Sequence, residues 1–197
     1  GGGDDSDLYV DLATVKEMLT KDSDDARDDL IEKAIRAASR LIDKRTGRRF
    51  YADSAPTTRT FPVVDRTFYE QGERVILVDD IASLDGLSIL NSAGATVTGY
   101  IPGPDNALAY GRPVTRLSGD AGWAPYAGRL SITAYWGYPE VPAEIEQAAG
   151  LLAARFYRRK DSPQGVIGSG DFGPVRVSRI DPDVEALIAP FVIPIIV

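Results

Sequence analysis

Gly168-Ser169-Gly170-Asp171-Phe172-Gly173 has the residue types and spacing of a dinucleotide-binding turn, G-x-G-x-x-G, and contains Asp-Phe-Gly, the magnesium-holding triplet of protein kinases. A pyrophosphate site needs a strand before the glycines and a helix after them, because the phosphates rest on the helix N-terminus. Here the preceding segment ends in Arg158-Arg159-Lys160-Asp161, as a helix ends, and Pro174-Val175-Arg176-Val177 alternates as a strand does. The kinase reading needs a His-Arg-Asp loop, and the chain has no histidine. The stretch is expected to be a long loop with few anchors, Val166, Ile167 and Phe172 among them. In an oligomer such a loop can lie against a neighbouring subunit.

Other chemistry is constrained by absences. The 197 residues include no cysteine, which removes disulfides, zinc–thiolate sites and thiol nucleophiles. Without histidine there is no Ser-His-Asp arrangement and no imidazole base. Asp22-Ser23-Asp24 begins like a calcium loop, but Ala26 and Arg27 then occupy the positions that need an oxygen ligand and a glycine. Carboxylate chemistry remains: Asp79, Asp80 and Asp85 could serve a carbohydrate-active module, with Phe61, Phe68, Tyr69, Tyr100, Tyr110, Trp123, Tyr126, Tyr135, Trp136 and Tyr138 as a stacking surface. Those acids adjoin turn signals, where Asp bonds its own backbone, and the aromatics equally suit a small β core. No catalytic, cofactor or metal residue is assigned, and the chain is not expected to be an enzyme. The net charge of −7 argues against a nucleic-acid-binding surface covering the whole protein and leaves room for a local basic patch. No secretory signal and no run long enough to span a membrane is expected.

The elements that position these residues read as helix, then strands, then helix. Asp11 caps a short helix through Leu19. Ser23 and the acids Asp24, Asp25, Asp28 and Asp29 open a second, expected over about 24–46 and stopped by Gly47, with Leu30, Ile31, Ala34, Ile35, Ala38, Leu41 and Ile42 on one face. From 52 to 138 the apolar period shortens to that of strands, with Gly-, Pro- and Asn-rich turns. Pro142 opens a third helix, on which Ile145, Ala148, Ala149, Leu152, Ala153 and Phe156 share a face, closed by Arg155, Arg158, Arg159 and Lys160. The expected class is α+β: an antiparallel helical core of two long helices plus short terminal ones, with a small antiparallel β module inserted. The expected divisions are a flexible tail at 1–7, the helical core at 8–51 and 139–190, the β module at 52–138 and an extended apolar tail at 191–197.

Two blocks carry a resemblance. Leu30–Phe50 (LIEKAIRAASRLIDKRTGRRF) and the stretch from Pro142 (PAEIEQAAGLLAARFYRRKDSPQGV, then GDFGPVRVSRIDPDVEALIAPF) are similar to the head–tail connector, or adaptor, proteins of long-tailed bacteriophages. The β insertion matches that family poorly. The resemblance implies a structural virion protein, made in the host cytoplasm and assembled in the neck. It implies a homo-oligomeric ring, typically a dodecamer, beneath the portal protein. Such a ring extends the DNA channel and receives a neck, stopper or tail-completion protein. A stopper or tail-completion role is the neighbouring alternative. Double-stranded DNA is expected to pass without specific binding, through a lumen without a basic belt, with Asp24, Asp25, Asp28 and Asp29 as candidate lumen or interface positions. Arg155, Arg158, Arg159 and Lys160, with Val166, Ile167 and Phe172, are expected at the subunit interface.

The C-terminus ends the reading. Asp181 and Pro182 start a short helix to about Ala189, where Pro190 stops it. Phe191, Val192, Ile193, Pro194, Ile195, Ile196 and Val197 carry no charge, and Pro194 with the β-branched residues favours an extended chain. Such a tail can fold back or dock on a partner. The resemblance implies that it docks on the portal.

Overall fold

The computed structural model describes residues 7–19, 28–161 and 181–193, with side chains described to Arg158 in the third helix. The chain divides into two compact units, Gly1–Arg48 with Pro142–Val197, and Arg49–Val141.

In the first unit, α1 (Leu12–Leu19), α2 (Asp28–Thr46), α3 (Ala143–Asp161) and α4 (Pro182–Ile188) follow one another. Asp11 caps α1, accepting the Thr14 N–H at 2.6 Å. The capping bonds from Thr14 hold the Asp11 carboxyl below its ordinary value, against the opposing effect of burial. Ile31, Ala34, Ile35, Ala38 and Ile42 of α2 are buried, as are Ile145, Ala148, Ala149, Leu152 and Ala153 of α3, and the two helices pack together. Alanines on these faces allow close approach, and Ser39 is tolerated inside because its hydroxyl donates to the Ile35 carbonyl at 3.0 Å. Asp181 caps α4, accepting the Asp183 N–H at 3.0 Å.

The second unit is a six-stranded antiparallel sheet in the order β1-β6-β3-β5-β4, with β2 paired to β3. The strands are β1 (Thr57–Pro62), β2 (Thr67–Glu70), β3 (Glu73–Leu90), β4 (Ile101–Gly103), β5 (Val114–Gly119) and β6 (Arg129–Trp136). Gln71 and Gly72, at φ of 52° and 85°, make the two-residue turn that a tight β2–β3 hairpin demands. The first part of β3 pairs with β2 and β5; the rest, from Ile81 to Leu90, pairs with β6, with register shifts after Leu77, Ile81 and Ser83. Phe61, Ile76, Ile81, Ile89, Leu117, Leu130, Ile132 and Trp136 form its core. Each large side chain so buried is worth about 1.5–3 kcal/mol.

This corrects the expected fold class. The architecture is not an antiparallel helical core of two long helices carrying a small β module. Among the described residues its four helices are short, of 8, 19, 19 and 7 residues, and the β part is a six-stranded sheet with a core of its own. The physical reason lies in β3. The turn signals at Val78-Asp79-Asp80 and Leu84-Asp85-Gly86 break no strand. The register shifts absorb them, and Gly86 supplies the positive φ of 65°. What reads as two short strands is one of 18 residues.

Arg74 is 2% exposed and holds the loop before β6. Its guanidinium donates to the Ala124 carbonyl and, at 2.7 Å, to that of Pro125, while the Trp123 indole N–H donates to the Arg74 carbonyl at 2.7 Å. Gly137, at φ 113°, follows β6 where the chain passes close to itself. A Cβ there would lie 1.9 Å from the Tyr51 carbonyl oxygen.

Three outcomes are expected. Gly137→Ala, combining a disfavoured φ with a backbone clash, lowers stability by about 3 kcal/mol in urea unfolding of the full chain. Asp181→Ala costs about 1–2 kcal/mol through the lost cap, whereas Asp181→Asn retains most of it in the same measurement. Because the folded-state value of Asp11 is depressed, its contribution is present above the ordinary carboxylate value and is lost as pH falls through the folded one. Helical ellipticity and melting temperature therefore fall less steeply at acid pH in Asp11→Asn than in the parent.

Candidate functional site

The described part of the C-terminal segment is seated on the end of α2. After α4 the chain makes a 3-10 turn, Ala189–Phe191, with Pro190 inside it, and becomes extended at Val192. Phe191 is thus in a turn rather than in the extended tail that the sequence suggests. Gly47, at φ 71°, ends α2, donating its N–H to the Asp43 carbonyl at 2.9 Å. This reversal leaves the Thr46 carbonyl free to accept the Ile193 N–H at 2.8 Å. The Arg48 side chain turns back and donates through Nε to the Phe191 carbonyl, also at 2.8 Å. Thr46 is held in turn: its hydroxyl donates to the Ile42 carbonyl at 2.9 Å and accepts the Arg48 N–H at 3.2 Å. Val192 and Ile193 remain exposed although both are apolar. Pro194, Ile195, Ile196 and Val197 lie outside the described residues.

The other expected site residues separate. Arg155 is half-buried and pairs with the cap carboxylate of Asp181. Arg158 is exposed and donates to the Met18 carbonyl at 3.1 Å. The side chains of Arg159 and Lys160, and all of Val166, Ile167 and Phe172, lie outside the described residues, as does the Gly168–Gly173 stretch. So do Asp24 and Asp25. Asp28 pairs with Lys16 of α1 at 2.5 Å, half-buried, and Asp29 pairs in solvent with Lys33, one turn on, at 3.4 Å.

Of the carboxylates considered for hydrolysis, that of Asp79 is engaged by two arginines. Asp79 is shared by Arg59 at 3.0 Å and Arg66 at 3.1 Å. These two guanidiniums lie over the rings of Trp136 and Phe61, 4.6 and 4.8 Å from the centroids, so the network pins the outside of the sheet to its core. Asp85 is exposed beside Gly86, its backbone N–H bonded to the Ser83 hydroxyl at 3.1 Å. Of the aromatics, Phe61, Trp123, Trp136 and Tyr138 are buried, while Phe68, Tyr69, Tyr110 and Tyr126 are exposed. Among the described residues no group of three or more His, Cys, Asp or Glu could hold a metal ion.

The seat of the C-terminal segment escaped the sequence reading. Gly47 and Arg48 are legible there as a helix stop and a favourable terminal charge. Nothing in their spacing says that their partner comes 143 residues later in the chain.

No protein-family model matches this chain, and no curated protein does. Solved structures do. A chain in the neck of an empty GTA particle, computed with C6 symmetry, is 21% identical with a TM-score of 0.53, over 96% of this chain and 92% of that one. A chain in the virion of a native gene transfer agent (GTA) particle gives 20% identity and a TM-score of 0.49, over 96% and 92%. One in the neck of a native GTA particle, computed with C12 symmetry, gives 21% and 0.47, over 94% and 90%. At these identities the likeness is one of fold.

Proposed function

We propose that this chain is a structural protein of the neck of a phage-like particle. In this reading its copies form a ring beneath the portal, extend the DNA channel and offer a platform for the next neck or tail protein. The observation that carries the reading is the likeness to the chain in the empty-particle neck, which takes in 96% of this chain, both units included. The sequence resemblance of the two helical blocks to connector proteins supports the same role from different residues. A non-enzymatic role agrees with Asp79 being tied up by two arginines.

Within that role, the C-terminal segment from Phe191 to Val197 docks on the portal. Its base is fixed by Arg48 and Thr46, and Val192 and Ile193 already present apolar side chains outward. A large apolar side chain that moves from water into a pocket contributes about 1.5–3 kcal/mol. Arg158, Arg159 and Lys160 contribute to contacts between subunits, and the lumen carries no basic belt, so DNA slides without being held.

Electron microscopy of portal-bearing capsids incubated with the protein should show an added closed ring. Capsids that acquire none, with a protein that instead binds glycan as a monomer, overturn the neck reading. Deleting residues 194–197 should leave circular dichroism and melting temperature unchanged but abolish attachment to those capsids. A truncated protein that still attaches rules out the docking role. Arg158→Glu with Arg159→Glu should reduce ring formation at least tenfold. It should cost folding stability about 1 kcal/mol, the worth of the bond to Met18. Unchanged assembly removes these residues from the interface.

A further inference from the structure

We infer that the β unit carries a head-to-tail contact for a second copy of this chain, in which the apolar, acid-rimmed sheet face at the start of β3 packs on the uncharged sheet face at the end of β3 in the next copy. The inference rests on the ring reading above and names surfaces that reading does not assign.

The first surface follows from strand register. Phe68 of β2 lies opposite Val75 of β3, Val75 opposite Ser118 of β5, and Ser118 opposite Ile101 of β4. Paired residues of antiparallel strands share a face, so these four form one row across the sheet, and Leu77, two residues along from Val75, lies on the same face. Phe68, Leu77 and Ile101 are 38%, 43% and 53% exposed, while Val75 between them is buried and Arg116, opposite Leu77, shares the face. Exposed apolar side chains grouped on one sheet face mark an interaction surface. The strands here also have an open edge. β1 and β4 contain Pro62 and Pro102, which blunt an edge, whereas β2 has no proline. Its rim is acidic: Glu70 lies opposite Glu73, and Asp120 directly follows Gly119, the partner of Arg74. Glu70 pairs with Arg116 at 2.8 Å; no ion pair to Glu73 or Asp120 is found among the described residues.

The second surface lies where β3 ends. Thr58, Thr133 and Ser88 form one row across β1, β6 and β3, and Thr60, Ser131 and Leu90 form the next. These six positions hold no charge, and the Thr58 and Thr133 hydroxyls bond each other at 2.7 Å, which lowers the cost of desolvating that pair. Leu90 is exposed on it. Beyond Ser131 stands Arg129. Five of the seven arginines in this unit are committed, namely Arg49, Arg59, Arg66 and Arg116 to carboxylates and Arg74 to backbone carbonyls. Arg129 is exposed, with no ion pair among the described residues. Among the described residues the sheet therefore carries unpaired acids beside the start of β3 and an unpaired arginine, on β6, near the end of β3.

This selects the second copy and its orientation. Two acidic ends meeting about a two-fold axis would set Glu73 against Glu73, while head-to-tail contact sets Glu73 and Asp120 against Arg129 and can close a ring.

The chain has no cysteine, so Ser118→Cys on the first face and Ser131→Cys on the second introduce the only thiols and leave Glu73, Asp120 and Arg129 in place. Under mild oxidation, the variant carrying both should give a ladder of covalent dimer, trimer and higher species, and a mixture of the two single variants should give the mixed dimer. Ile101→Asp in the double background should cut the ladder at least tenfold without moving the melting temperature. Glu73→Arg and Arg129→Glu should each weaken assembly, and together restore it. A Ser118→Cys homodimer in place of the ladder means a two-fold contact and overturns the proposal. Rings on portal-bearing capsids with no ladder overturn it while leaving the neck reading intact. A ladder with no ring on those capsids sustains the contact and removes the neck reading.

Discussion

The β unit depends on β3 remaining one strand while it changes partners. Its first residues must hydrogen-bond to β2 and β5, and its last to β6, so the strand has to bend without losing its inward side chains. Ile76, Ile81 and Ile89 are all fully buried along it. The register shifts between them keep the apolar positions facing the core on both sides of each irregularity. Asp79, just after the first shift, is held by Arg59 of β1 and by Arg66 of the turn before β2, which ties the bend to its neighbours. The hairpin at Gln71-Gly72, the Arg74 clamp on the loop before β6 and the close passage at Gly137 all presuppose that path.

Helices were the more legible part of the sequence. Asp11 and Asp181 as caps, Pro182 as a first-turn residue and Gly47 as a stop are local devices whose effect is felt within a turn, so spacing alone reveals them. The buried stripes of α2 and α3 follow the helical period for the same reason. β3 was misread because a turn signal is a statement about φ and ψ, and a bulge satisfies that demand without ending the strand. Asp79-Asp80 and Asp85-Gly86 look alike to local propensity whether the chain turns back or only kinks. The ladder on each side decides, and its partners lie far along the chain, as Trp136 does from Ile81.

The candidate site was legible in composition and illegible in position. An uncharged stretch from Phe191 onward is conspicuous in a chain of net charge −7, and it marks the C-terminus as a place where apolar surface must be covered. That Phe191 turns before the chain extends, and that Arg48 and Thr46 take its backbone, depends on contacts between residues far apart in sequence. Arg155 shows the same limit from the other side. As one of a run of cations at the end of a helix it suggested an interface, and its place beside the Asp181 carboxylate gives it a partner within its own unit.

The bond from the Ile193 amide to the Thr46 carbonyl has a mechanical meaning. A chain end is ordinarily a slack tether, and a load on it is lost in the extension of free residues. Here the tether is moored two residues after its last turn. A pull transmitted to Ile193 is met by the Thr46 carbonyl and the Arg48 guanidinium, and through Thr46 it reaches α2 and the α3 packed against it. Up to Ile193 the segment is a handle held to the helical unit by two hydrogen bonds.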